Sequence, residues 1–387
     1  MASEKRDGSD RGKPSVIVYG VFLSIVIVII IFTSLFISLI LDGVYDTGPA
    51  VNRLVYLIPV SSAVLALVIM IAAHSYYGRP MFPLYLASTL IFGVLFYLFV
   101  ASVLSAIPLA LYQFGIVRGE AMVAFLSYMI PIMALVPMAV GLVNSRFLRV
   151  RRVEITSGRI KKGVRIVFFS DLHLGLLVGK RRMEELIEVC ERAKPDMIMI
   201  GGDLIDTEPS NIEKVLPLVG KLPEIAHTYA VTGNHEYFND VDACVEAMES
   251  NGIEVLRNRC VKDRSTGFLV CGVDDPTGSM QFGEEEPDPE RILKGRRGNK
   301  ILMAHQPRYF KSSASLGVDL MLSGHTHGGQ MEPFGLATRA AYSDGDRGLR
   351  RMGDTHVYVS TGAGTWGPPV RFLTSSEVVV LDIVPDG

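Results

Sequence analysis

Charge is the first thing this sequence lacks. Residues 16–145 of the 387 are almost free of it, and the runs 16–41, 54–73, 81–112 and 121–143 contain none at all. As a helix, the first run would be about 39 Å long, enough to cross a bilayer. A cleaved signal peptide would explain only that run, which is too long for the role. Four membrane spans are therefore expected. Ionisable groups are missing from the span interiors, which removes the usual mark of a transport path and argues against a transporter. His74 closes the second span and is expected at the interface. Basic excess is missing as well. A formal net charge of −2 gives no footprint for nucleic acid, so no such partner is expected. Cysteine is scarce, and Cys190, Cys244, Cys260 and Cys271 match neither a zinc ribbon nor a CxxC pair. They are expected as buried free thiols, which fits a reducing compartment.

Basic residues cluster on both sides of the span region. Lys5, Arg6, Arg11 and Lys13 precede it; Arg146, Arg149, Arg151, Arg152, Arg159, Lys161 and Lys162 follow it, against Glu154 alone. An even number of spans puts both clusters on one side, the cytoplasmic side by charge bias. The expected organisation is a cytoplasmic tail (1–15), four transmembrane helices (16–145), a basic juxtamembrane linker with the first strand (146–163), and a soluble domain (164–387). The protein is thus expected to be multi-pass in the cell membrane, with its soluble domain in the cytoplasm.

The soluble half begins as alternating strands and helices. Strands are expected at 148–155, 164–169, 197–200 and 228–231, and helices at 181–193, 211–222 and 241–250. Short strands dominate afterwards, at 268–273, 300–304, 320–323, 357–360 and 377–384. The charged segment 284–300 between them reads as a surface excursion. The pattern predicts a sheet flanked by helices.

Five elements follow the apolar runs: Asp171-Leu-His173, Gly202-Asp203-Leu-Ile-Asp206, Gly233-Asn234-His235-Glu236, Ala304-His305-Gln306 and Gly324-His325-Thr-His327. They hold five of the eight histidines. Each offers a carboxylate, imidazole or amide of the kind that binds a transition metal. A single DxH would mean little, because a lone strand-end histidine is more often a satisfied structural residue. Five elements in order, each at a strand tip, predict side chains converging on one sheet edge. His227 and His356 lie outside every element and are expected to be structural. Trp366, the only tryptophan, sits in a Gly/Pro-rich turn, where it either lines a pocket rim or caps a sheet.

On these motifs the sequence resembles the calcineurin-like metallophosphoesterase superfamily, over residues 148–385. It looks most similar to the bacterial and archaeal branch with Ser-Gly-His-Thr-His-Gly-Gly-Gln, here residues 323–330, some of whose members carry N-terminal membrane helices. The resemblance implies a four-layer α/β/β/α sandwich behind a four-helix transmembrane region. It also implies two divalent metal ions (Mn, Fe, Zn or similar). Asp171, His173 and His327 would hold one, Asn234, His305 and His325 the other, and Asp203 would bridge them. Hydrolysis of a phosphomonoester, phosphodiester or pyrophosphate would proceed by metal-bridging hydroxide attack. His235 would protonate the leaving group and Asp206 would orient it. In the protein Ser/Thr phosphatases Arg-Gly follows the second Asp of GDxxD. Thr207-Glu208 stands there instead, which argues against that subclass. Tethering beside a bilayer favours a phosphorylated lipid as substrate. The alternatives are a phosphohydrolase of soluble nucleotides or another phosphorylated small molecule, and a non-catalytic metal-binding membrane scaffold.

Overall fold

The computed structural model describes residues 16–386 apart from 46–48, 79, 159 and 161. The basic tail at 1–15, Arg159, Lys161 and the side chain of His74 lie outside the described residues. The chain divides into two compact units, residues 16–146 with Gly367–Phe372, and residues 147–366 with 373–386.

In the first unit the charge-free runs form α1 (Val16–Tyr45), α2 (Pro49–Ser75), α3 (Met81–Gln113) and α4 (Ala121–Asn144). All four are long and apolar enough to cross a membrane. Small side chains face inward, among them Ala63, Ala66, Ala101, Ser102, Ser105 and Ala134, while Val28, Phe32, Leu57, Ile107 and Leu135 face outward. That inversion is expected where lipid tails replace water and helices associate by close packing. Pro59, Pro108, Pro131 and Pro137 all lie inside helices. The segment Gly367–Phe372 lies against α3 and α4. The Arg371 backbone N–H donates to Gly141 O at 2.8 Å, and Ser145 Oγ donates to Pro369 O at 2.6 Å. A Cβ on Gly141 would lie 2.3 Å from Val370, so only glycine permits the approach.

The second unit is an α/β/β/α sandwich of two six-stranded sheets. The first sheet contains β1 (Leu148–Ser157), β2 (Val164–Phe169), β3 (Met197–Ile200), β4 (His227–Ala230), β5 (Glu254–Val255) and β12 (Ser376–Pro385), in the order β1-β12-β2-β3-β4-β5. The second contains β6 (Arg259–Lys262), β7 (Leu269–Gly272), β8 (Lys300–Met303), β9 (Leu320–Ser323), β10 (Gly348–Met352) and β11 (Thr355–Val359), in the order β10-β11-β9-β8-β7-β6. Strands β2 to β5 run parallel in one sheet and β7, β8, β9 and β11 in the other. Strands covered on both faces read as unbroken apolar runs, and Met197-Ile-Met-Ile200 is one.

One core lies between the sheets, where Ile166, Phe168, Met199 and Tyr229 meet Val270, Ile301, Met303, Leu322 and Tyr358. Burying a side chain such as Phe168 contributes about 1.5–3 kcal/mol. Phe310, Ile292 and Leu293 cover the outer face of the second sheet. Helix α5 (Lys180–Ala193) is the crossover between β2 and β3 and buries Met183, Leu186, Ile187 and Cys190.

Two expectations need correction. Cys260 and Cys271 pair across the antiparallel β6–β7 ladder as a disulfide, whereas Cys190 and Cys244 are buried free thiols. The expected helix at 211–222 is broken into a 3₁₀ turn, Pro209–Ile212, and two short helices, Leu216–Val219 and Lys221–Ile225. Pro217 and Pro223 each sit where only a first helical turn accepts proline. The excursion at 284–300 carries a short helix, Pro289–Leu293, whose Ile292 and Leu293 are buried.

Candidate metal centre

The five sequence elements begin where parallel strands end. Strands β2, β3 and β4 lead into the segments of Asp171, Asp203 and Asn234, and β8 and β9 lead into those of His305 and His325. Two sheets packed face to face bring both sets of carboxyl ends to one place. His173 Nε2 lies 3.0 Å from His327 Nε2, and His327 Nε2 lies 3.6 Å from Asp171 Oδ1. A second cluster forms around Asn234 Oδ1, 3.2 Å from His305 Nε2 and 2.9 Å from His325 Nδ1. Asp203 Oδ2 stands between them, 3.2 Å from His305 Nε2 and 3.8 Å from His173 Nε2. All seven side chains named as ligand candidates therefore meet. The remaining two, His235 and Asp206, join at the edge, where Asp206 Oδ1 contacts His235 Nδ1.

Local backbone geometry makes this convergence possible. Asp171, His173, Asp203, His325 and His327 all have left-handed backbone angles, with φ of 53°, 55°, 52°, 72° and 49°. Non-glycine residues rarely adopt them, at a cost of about 1–3 kcal/mol each, and they persist where surrounding contacts impose them. Some of those contacts are visible. The backbone N–H of His325 donates to Asp171 Oδ1 at 2.9 Å, and that of His235 to Asp203 Oδ1 at 2.8 Å. A Cβ on Gly233 would sit 2.1 Å from Asp203 Oδ1, and one on Gly324 would sit 2.4 Å from Asp171 Oδ2. Glycine at both positions is a steric requirement.

The electrostatics favour bound positive charge. Burial pushes Asp171 up to about 6 and takes His173 down to about 4 and His325 to about 3. These two imidazoles are neutral at pH 7, as ligation requires. At His305 burial opposes protonation, but Asp203 and Asp171 outweigh it and hold its pKa well above the ordinary value. Positive charge is thus drawn to the space between two buried carboxylates, where a dication can replace the proton. Asp171, His173 and His327 each offer a ligand atom within 4.8 Å of the others, as do Asp171, Asp203 and His305. His173, Asp203 and His235 form a third such group. The donors are nitrogen and oxygen without thiolate, so the residues fit a divalent transition metal.

Three contributors were not singled out from the sequence. Glu236 is fully buried and accepts backbone N–H groups of Gly233, Asp203 and Ile205 at 2.7, 3.0 and 3.0 Å, tying two site loops together. Burial pushes its pKa up to about 7. Its only sequence signal is its place after Gly-Asn-His. Ser170 Oγ donates to Asp171 Oδ2, and Gly201 O accepts from His305 Nδ1 at 2.8 Å, which aims Nε2 inward. His227 lies away from the site, stacked on Tyr229 and 3.1 Å from Glu254.

Comparisons with known proteins point to one family. The profile of the calcineurin-like phosphoesterase family matches residues 164–329. An uncharacterized metallophosphoesterase of Helicobacter pylori is 36% identical over 244 residues, which cover 61% of this chain and 64% of that protein. One from Aquifex aeolicus is 34% identical over 246 residues, 62% of this chain and 94% of that relative. A Danio rerio protein named transmembrane protein with metallophosphoesterase domain is 33% identical over 305 residues, 74% of this chain and 69% of its own length. That share exceeds the whole segment after Arg146, so the similarity extends into the helices.

Proposed function

This chain belongs to the calcineurin-like phosphoesterase family, and from that premise we propose that it is a membrane-anchored, metal-dependent hydrolase of phosphoric esters. The reading rests on one observation. Asp203 stands within 3.8 Å of both the His173 and the His305 nitrogens, between two clusters of ligand atoms. We assign Asp171, His173 and His327 to one divalent ion, Asn234, His305 and His325 to a second, and Asp203 to both. Such ions supply Lewis acidity toward phosphoryl oxygens and lower the pKa of water.

The chain's own residues supply the rest. Asp206 fixes His235 Nδ1, leaving Nε2 to face the reacting ester. Burial lowers the proton affinity of His235, but Asp206 and Asp203 reverse this and push it up to about 9, so it is protonated at neutral pH. Water adds its oxygen to phosphorus, the P–O bond to the leaving group breaks, and the leaving oxygen takes the His235 proton. His235 is restored by a proton from the water consumed. Asp203 holds the His235 backbone N–H at 2.8 Å, which keeps acid and ligand in one frame.

The membrane helices make a phosphorylated or pyrophosphorylated lipid the proposed substrate, with soluble nucleotides as the competing class. The basic flank after α4 supports a cytoplasmic site. The Cys260–Cys271 disulfide favours the opposite face, because such bonds persist in oxidising compartments. Metal content and turnover of the purified full chain on lipid phosphates in mixed micelles, and on cyclic and linear nucleotides, test the activity. Turnover of nucleotides alone ends the lipid reading; no turnover on any ester, aryl phosphates included, ends the enzyme reading. Protease accessibility of the soluble unit in intact cells tests the orientation.

A further inference from the structure

The rim of the metal centre has two unlike sides. Beside His325 stands Tyr342, ring centroids 5.8 Å apart, with the exposed Arg308 near it. No carboxylate pairs with Arg308 among the described residues, so this side is cationic. Beside His235 the rim is aromatic. The Phe238 ring lies 5.6 Å from the His235 ring, Trp366 lies 6.3 Å from it on another contact, and Phe282 lies 6.4 Å from Phe238.

Two of these rings stand open to solvent where burial would have been favourable, and Phe282 is half-buried. Trp366 is 56% exposed and Phe238 45%. The backbone of Trp366 is nonetheless held firmly. Gln330, buried at the end of the Gly-His-Thr-His-Gly-Gly-Gln run, donates Nε2 to Trp366 O at 2.8 Å and accepts from Trp366 N at 3.0 Å. A fixed, exposed aromatic beside the proposed proton donor is placed for contact with whatever the leaving oxygen is attached to.

We propose that Phe238, Phe282 and Trp366 form a leaving-group subsite that takes the alkyl portion of a phosphorylated lipid. This deepens the reading given above and rests on it. The leaving group must lie on the His235 side, because that side chain protonates it. Three rings without a charge among them select apolar carbon there over a polar alcohol, whereas Arg308 and Tyr342 hold the opposite side.

Trp366 is the only tryptophan, so selectively excited tryptophan emission of the metal-loaded protein reports on this rim alone. Decylphosphonate, below its micelle concentration, is expected to shift Trp366 emission to the blue, and methylphosphonate is not. In kinetics, Trp366→Ala and Phe238→Ala should each lower the kcat/KM ratio of decyl phosphate over glycerol 3-phosphate by about tenfold. The ratio is taken within one preparation, so a loss of folded protein cancels. An unchanged ratio in both variants, or equal emission responses to the two phosphonates, overturns the subsite. So does a blue shift with AMP in place of decylphosphonate, which assigns the rim to a nucleobase. If the protein hydrolyses no ester, the emission arm still decides the subsite independently of the activity.

Discussion

Asp206→Asn isolates the electrostatic contribution to proton donation. Asp206 reaches His235 Nδ1 and, with Asp203, holds the imidazole protonated up to about 9 despite its burial. The sign follows directly: a raised pKa keeps the acid form present below it, and activity that needs the acid is lost as pH rises through it. Replacing the carboxylate by an amide removes most of that stabilisation and moves the value toward the ordinary 6.5. At pH 8 the protonated fraction then falls from roughly nine-tenths to a few per cent, about a 30-fold loss of turnover. At pH 5.5 both proteins remain protonated and the loss is small. Bound cations lower the imidazole pKa in both proteins, so the displacement of the alkaline limb is the quantity to read. Steady-state pH profiles of kcat for metal-loaded wild type and variant on one ester supply it. An alkaline limb that stays in place refutes both the pairing and the role of His235 as the acid.

Asp203→Ala is expected to lose bound metal and activity together, as measured by elemental analysis and turnover, because one carboxylate reaches toward both clusters. His235→Ala should retain near-normal metal while turnover falls about 10²–10⁴-fold; substantial metal loss would mark His235 as a ligand. Glu236→Ala should destabilise the soluble unit by about 2–5 kcal/mol in chemical denaturation, since three backbone N–H groups lose their acceptor. Without reductant, Cys190 and Cys244 should alkylate only after unfolding, because burial pushes both thiols upward, Cys190 to about 12. Cys260 and Cys271 should alkylate only after reduction, as intact-mass spectrometry will show.

Much of this architecture follows from local pattern. Charge-free runs of 20 or more residues have one low-energy solution in lipid, a helix, so the four spans could be read directly from composition. A mostly apolar run of four to six residues leading into Ser-Asp, Gly-Asp, Gly-Asn-His, Ala-His or Gly-His marks a buried parallel strand with a ligand at its tip. The strand tips of β2, β3, β4, β8 and β9 were legible for that reason.

What no local pattern carries is contact between distant positions. Asn234 meets His325 across 91 residues and His173 meets His327 across 154, and only the stacking of two sheets decides that. The left-handed angles at Asp171, Asp203 and His325 are uncommon away from glycine, and tertiary hydrogen bonds help hold them. Glu236 reads as another polar residue until its three backbone donors are in place. Cys260 and Cys271 are thiols in sequence and cross-strand partners in the β6–β7 register. Trp366 could have capped a sheet, and the Gln330 amide decided otherwise by fixing its backbone at the rim. Sequence thus determined which side chains carry the chemistry, because residue type and strand ends are local. Tertiary structure decided their spacing, charge state and backbone strain, because those depend on neighbours that the chain brings together only by folding.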